Sequence, residues 1–345
     1  MIVGIENPLL DISVDCDEHF LHKYNLESNS AILAGPDHLP LYTEIKKFDN
    51  VLYSAGGATQ NAMRVAQWML GGESRVAYTG CVGDDDNMHK MKKSVETEYG
   101  VQALYLVDDG GHPTGTCAVL VSDHGKNRSL VANLGAANHF KKSHLEDNLS
   151  ILDKSKIIYS SGFFITAAAD SLEYICKYVS NSPTRPVFVF NLAAPFICEV
   201  DPFRNILLST LTHVDYVFGN DAEALVLGQK MNWSNDVATI AMHIANLPKS
   251  TEERKRVVII TQGAEPTIIA VQGEAHARSA PIQPVCSMEI VDSNGCGDAY
   301  AGAFVAGILL EKDLLECARG AAYAACEVIK RGGCTLPKKS SFIWK

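Results

Sequence analysis

Short apolar runs alternate with stretches of helical periodicity over most of the chain. Ile2–Ile5 is apolar throughout and is stopped by Asn7-Pro8, so it reads as a buried strand. From residue 10 to 51 the pattern is irregular and polar, with clusters of Ser, Asp and Asn. Residues 51–55 read as a strand ending at Gly56-Gly57, and a helix from about Asn61 closes at Gly71-Gly72. A regular order then sets in: strand 75–79, helix 87–98, strand 101–107. Thr116–Ser122 and 128–133 form a hairpin turning through Asp123, His124 and Gly125. Strands are expected again at Ile157–Ser161, 187–190, 214–218, 257–261 and 267–271, mostly separated by helices. Ser143 with Glu146 and Asp170 with Glu173 have capping-box spacing; Asp313 with Glu316 opens the last helix, and Gly332-Gly333 closes it.

This rhythm predicts an α/β chain with a mostly parallel sheet covered on both faces. The 10–60 region and the 114–134 hairpin do not fit it and predict a small β-rich antiparallel lid inserted in two pieces. The expected division is a large three-layer domain from 1–14, 62–113 and 135–345, and a lid from 15–61 and 114–134.

The chemistry concentrates at 292–298, D-S-N-G-C-G-D, between a β-type segment at 288–291 and an apolar helix of small residues. Gly295 and Gly297 allow a tight turn that leaves backbone N–H groups uncovered at a helix N-terminus, a setting that favours an anion. Asp298 follows at once. A carboxylate beside an anion pocket suits removal of a proton from an alcohol, and equally suits the N-cap of the helix.

The net charge of −10 argues against a general nucleic-acid or anionic-membrane binder, though a cleft can still hold a small anion. The longest uncharged apolar stretch, 299–310, is too short to span a bilayer, and no secretory signal is visible. Ten scattered cysteines without a C-x-x-C pair fit reduced thiols in the cytoplasm. A Walker-type G-x-x-x-x-G-K-[ST] is missing, as is a G-x-G-x-x-G after the first strand.

Nine blocks carry a resemblance over nearly the whole chain: N-P-L-L-D-I-S at 7–13, A-G-G-A-T-Q-N at 55–61, P-T-G-T-C-A at 113–118, N-R-S-L-V-A-N-L-G-A-A-N at 127–138, G-F-F at 162–164, A-P-F-I at 194–197, F-G-N-D-A-E-A at 218–224, T-Q-G at 261–263 and D-S-N-G-C-G-D. The chain resembles the adenosine kinases, a branch of the ribokinase-like (PfkB) carbohydrate kinases. The resemblance implies 5′-phosphorylation of adenosine by ATP, in a monomer, with Mg2+ and room for a monovalent cation.

Residue by residue, it implies Asp298 as base and the N–H groups of Gly295, Cys296 and Gly297 as anion hole. Arg128, on the hairpin, either closes over the phosphates or stays solvated. Asn7, Asp11, Gly57 and Asn61 fall at ribose positions, with Leu9, Gly56 and Ala58 beside them. Leu33, Cys117, Leu134, Phe164 and Phe196 are expected to line an apolar slot for adenine. Asn220 and Glu223 match an N-x-x-E motif that organises Mg2+, a spacing shared with a capping box. Asn191, Thr261 and Gly263 match positions on the ATP side. Three departures stand out: Ala58 where the family has Ser, Met88 where a loop glycine is usual, and Cys296 where the turn carries Ala. The last suggests a thiol open to alkylation or oxidation.

Overall fold

The computed structural model describes residues 1–123 and 127–345, so two residues of the expected hairpin turn, His124 and Gly125, lie outside it. The first strand, Ile2–Ile5, is buried along its whole length and pairs in parallel with Val76–Thr79 on one side and Ile157–Ser161 on the other. Parallel pairing continues through Val187–Asn191, Tyr216–Asn220 and Val257–Gln262. Glu265–Val271 and Arg278–Ala280 then add antiparallel strands at one edge of the nine-stranded sheet, and Gln102–Ala103 forms the other edge. Continuous apolar strands such as Val258–Ile260 are what a sheet covered on both faces requires. Two core clusters, one on each face, cover it.

One of these layers is built around the helix Cys296–Leu309, which is small and apolar on nearly every side. It packs against Ala58–Leu70 and Leu314–Ile329. Gly302 makes the first contact close: a Cβ there would lie 2.1 Å from the carbonyl oxygen of Ala62. That approach sets the distance between Asn61 on one helix and Asp298 on the other.

The second sheet has five strands in the order Ala31–Leu33, Asn127–Asn133, Thr116–Ser122, Leu9–Asp15, Leu52–Gly56. Its alternation is strict. Ile12, Val14, Ala118 and Leu120 face a small core with Phe20, Leu41 and Ile45, whereas Leu9, Cys117, Val119 and Val121 face the opposite way.

Several expectations change. Leu9–Asp15 pairs inside the five-stranded sheet, so residues 9–14 do not go with the large domain, and residues 58–61 already belong to the helix Ala58–Leu70 that packs in it. The lid sheet is mixed, not antiparallel, because Leu9–Asp15 runs parallel to Thr116–Ser122. The irregular 10–51 region contains the helices Glu18–Lys23 and Leu39–Ile45, too short for their periodicity to stand out. The 101–107 strand is two short pieces, Gln102–Ala103 and Leu106–Val107. The β-type segment at 288–291 is a single 3-10 turn, Ser287–Glu289. Ser143 does not cap its helix, which starts after Lys141. Asp170 lies inside the helix Phe163–Asn181 just past a non-helical Ala168, and its Oδ1 accepts from the N–H of Ser171. Asp313, by contrast, caps the last helix through the N–H of Glu316. Met88 is buried in the core under the helix it helps to start.

All ten cysteines are free thiols. Among the described residues, no helix is long and apolar enough to cross a membrane.

Candidate active site

The carboxyl ends of the parallel strands bring several polar residues into one row. Ser161 is in register with Asn191, and Asn220 with Thr261. Open parallel sheets bind ligands along this edge.

Helix Cys296–Leu309 starts at this edge. Gly295 takes φ 76°, a left-handed turn, and no side chain caps the helix. Asp298 therefore is not the N-cap. It stands at the third helical position, half-buried, and its Oδ2 accepts from Asn61 Nδ2 at 2.9 Å. Asn61 is oriented in turn by Arg64, whose Nη2 donates to Asn61 Oδ1 at 2.5 Å and to the carbonyl of Ala55 at 2.6 Å. The guanidinium thus fixes which end of the Asn61 amide faces Asp298. Burial pushes the Asp298 carboxyl up to about 6, with the Asn61 hydrogen bond and the charges of Arg128 and Arg64 opposing it.

The preceding loop is tied down by Asp292, which accepts from the N–H of Asn294 at 2.7 Å and of Gly333 at 2.8 Å. Arg128 reaches this loop from the lid hairpin and donates to Ser293 Oγ at 3.0 Å, so it is not simply solvated. Four buried side-chain polar atoms lack a partner among the described residues, and three of them are donors of this neighbourhood: Arg64 Nε, Arg128 Nε and Asn294 Nδ2. Orphaned donors beside an uncapped helix N-terminus leave room for an anion.

Asp11 is buried, and its carboxyl is held up to about 7 by burial, against the charge of Arg64. Gly56 lies flat against it; a Cβ there would fall 2.1 Å from Asp11 Oδ1. Asn7 donates from Nδ2 to the carbonyl of Phe163 at 3.0 Å, and Gly57 precedes the helix that carries Ala58 and Asn61. Sequence reasoning missed Glu6, which joins these pieces. Its Oε2 accepts from the N–H of Thr59 at 2.6 Å and its Oε1 from Ser161 Oγ at 2.8 Å. Burial holds this carboxyl up to about 7. An acid closing an apolar strand was the available signal, as was Arg64 one helical turn after Asn61.

Leu9, Cys117 and Leu134 share one apolar cluster with the partly buried Ala167. The other expected slot residues do not all join them. Phe164 is fully buried and meets Phe140 edge-on at 5.4 Å, so it is core and not a stacking surface. Its neighbour Phe163 remains half-buried, tilted against Phe196 at 6.3 Å. One step along a helix turns a side chain about 100°, which is how G-F-F conceals the choice. Leu33 lies on the edge strand of the lid sheet and is 37% exposed.

Asn220 and Glu223 form a complete capping box: Glu223 accepts from the Asn220 N–H at 2.9 Å and from its Nδ2 at 2.8 Å, while Asn220 Oδ1 accepts from the Glu223 N–H at 2.9 Å. Burial holds Glu223 up to about 7. Asn191 Oδ1 accepts from the N–H of Ala193 at 3.1 Å, Thr261 Oγ1 points at the carbonyl of Gly219 at 3.4 Å, and Gly263 sits exposed in the turn that follows. The Cys296 thiol is half-buried against the carbonyl of Ala325 at 3.9 Å and is pushed up to about 12 by burial. A thiol so far from ionising is a weak nucleophile, which weighs against the expectation of a reactive cysteine.

Residues 27–340 match the family model of the pfkB family carbohydrate kinases. Adenosine kinase 2 of Arabidopsis thaliana is 42% identical over 99% of this chain and 97% of its own. The structure of Anopheles gambiae adenosine kinase in complex with P1,P4-di(adenosine-5) tetraphosphate superposes with a TM-score of 0.94 at 39% identity, covering 99% of both chains. Adenosine kinase from Schistosoma mansoni in complex with 2-fluoroadenosine gives 0.91 at 32% identity over 97% of each.

Proposed function

The chain belongs to the pfkB family of carbohydrate kinases, and from that premise we propose that it transfers the γ-phosphoryl group of ATP to the 5′-hydroxyl of adenosine, giving AMP and ADP. The observation that carries the mechanism is the relay Arg64–Asn61–Asp298 beside an uncapped helix N-terminus ringed by orphaned donors.

Phosphoryl transfer depends mainly on positioning and charge stabilisation. In this reading Asp298 accepts the proton of the attacking hydroxyl, and Asn61 keeps its carboxylate aimed. The N–H groups of Gly295, Cys296 and Gly297 meet charge on the transferred group, and Arg128 adds its guanidinium from the lid. Asp11, with Asn7 and Gly57 nearby, binds the ribose hydroxyls. Leu9, Cys117 and Leu134 with Phe163 hold the base. Asn191, Asn220, Thr261 and Gly263 lie along the ATP side.

Both oxygens of Glu223 already accept one hydrogen bond and keep a second acceptor direction. That donor set fits a hydrated Mg2+ held through its own waters, an ion that retains several of them. Bound there, the ion would offset charge on the phosphates. The enzyme is read as monomeric and cytoplasmic, the compartment being in keeping with ten unpaired thiols.

The test is ADP release from Mg·ATP with adenosine, inosine, 2′-deoxyadenosine, ribose and no acceptor in parallel. Fast turnover confined to adenosine supports the whole reading. Preference for ribose or inosine keeps the Asp298 chemistry and overturns the adenine slot.

A further inference from the structure

At the root of the lid hairpin, away from the row of strand ends, three metal-ligating side chains converge. Asp108 lies just before the hairpin, anchored by its N–H to the carbonyl of Val82 at 2.8 Å. His112 follows it, and His139 ends the 3-10 turn Gly135–His139 on the way out. The incoming and outgoing crossings touch through the Ala136 N–H and the Pro113 carbonyl at 2.8 Å. The two imidazoles stack with centroids 3.7 Å apart and planes 12° from parallel. One ligand atom from each of the three residues lies within 4.8 Å of the others.

We propose that Asp108, His112 and His139 form a binding site for a first-row transition ion of the zinc type. Asp108 Oδ2 accepts from the N–H groups of Gly110 and His112, and from His112 Nδ1, each at 3.0 Å. A carboxylate can only accept, so without an ion His112 carries its proton on Nδ1. Binding would exchange that proton for the ion, so that His112 Nδ1 and Asp108 Oδ2, 3.0 Å apart, ligate side by side and one proton is released. Two nitrogens and one oxygen, with solvent at the fourth position, suit Zn2+ and not Mg2+ or Ca2+, which prefer oxygen alone. Zinc–nitrogen bonds near 2 Å put tetrahedral ligand atoms roughly 3.3 Å apart, so the near-parallel rings must tilt to aim both nitrogens at one ion. Both imidazoles are exposed, which leaves room for that tilt, while the Asp108 side chain is 2% exposed and fixed. Lys141, two residues beyond His139, is held by Asp109 at 2.8 Å. An ion here would tie together the two crossings that carry the hairpin, and with it Arg128.

The experiment uses the full chain, stripped of metal, titrated with Zn2+ by calorimetry and with Co2+ by absorption. One equivalent should bind, Co2+ giving weak visible bands without the intense near-ultraviolet band of a thiolate ligand. His112→Ala, His139→Ala and Asp108→Asn should each lose that binding, since each removes one of the three ligands. Excess Mg2+ should not displace the ion. Circular dichroism and Mg2+-supported turnover of the histidine variants should match the unaltered chain, since both rings are exposed. No binding, displacement by Mg2+, a thiolate band, or stoichiometric binding that survives in the double histidine variant overturns the site.

Discussion

Asp298 and its supports are where single atoms decide the chemistry. Because burial pushes this carboxyl up to about 6, kcat/KM should fall as the pH drops through that value and level off above it, where the base is ionised. Asp298→Asn should lower kcat by on the order of 10²–10⁴-fold, while adenosine affinity measured by calorimetry stays close to that of the unaltered chain. Near-normal turnover in that variant would remove Asp298 from the proton transfer. The two phenylalanines of G-F-F separate just as cleanly. Phe164 is fully buried, so Phe164→Ala should cost about 3–5 kcal/mol of stability by leaving a cavity. Phe163→Ala should instead raise the KM for adenosine and leave the denaturation midpoint nearly unchanged. The reverse pattern would restore the stacking role to Phe164.

At the scale of elements, the hairpin reaches the loop before the helix Cys296–Leu309 through Arg128, which donates to Ser293. Removing a single donor from a developing charge typically costs about 10²–10³ in kcat. Arg128→Ala should therefore cut kcat by about that factor with little change in adenosine affinity. If kcat is untouched and only stability moves, the contact is structural and the lid does not close on the phosphates. The hairpin strands were legible because two runs rich in β-formers flank a short polar turn. The helices Glu18–Lys23 and Leu39–Ile45 were not, since each has fewer than two full turns in which a period can show. Capping spacings proved uneven guides. Asp313 and Asn220 form their caps, whereas Ser143 and Asp170 do not, because local spacing says nothing about where packing starts a helix.

For the whole molecule, the site concentrates buried acids whose protons the fold retains. Glu6, Asp11 and Glu223 are held up to about 7 and Asp298 up to about 6, in each case chiefly by burial. The same groups in the unfolded chain titrate near 4. Between those limits the folded state binds more protons, so stability is lost as the pH rises from about 4 to about 7. His213 and the Met1 amino group, both lowered chiefly by burial, oppose this, as do carboxylates lowered by their partners, such as Glu44 and Glu289, at the acid end of the window. The ligand-free protein should thus melt at a higher temperature near pH 5.5 than near pH 7, by scanning calorimetry. Glu6→Gln should flatten the difference. A melting temperature that climbs steadily with pH through this window would contradict the shared burial of these acids.

The sequence by itself determined the alternation of strands and helices, the parallel character of the large sheet, and the glycine-rich turn with its acid. Each of these is written in neighbouring residues, as periodicity, turn chemistry or a short motif. The resemblance carried by its blocks named most of the residues proposed for the site. Only the tertiary structure decided which of two adjacent phenylalanines faces outward and that Glu6 and Arg64 support the site. Only it moved residues 9–14 into the lid sheet and half-buried the Cys296 thiol, which pushes it up to about 12. These depend on the angle at which one element lies against another and on the burial that results, and neither quantity is local to the chain.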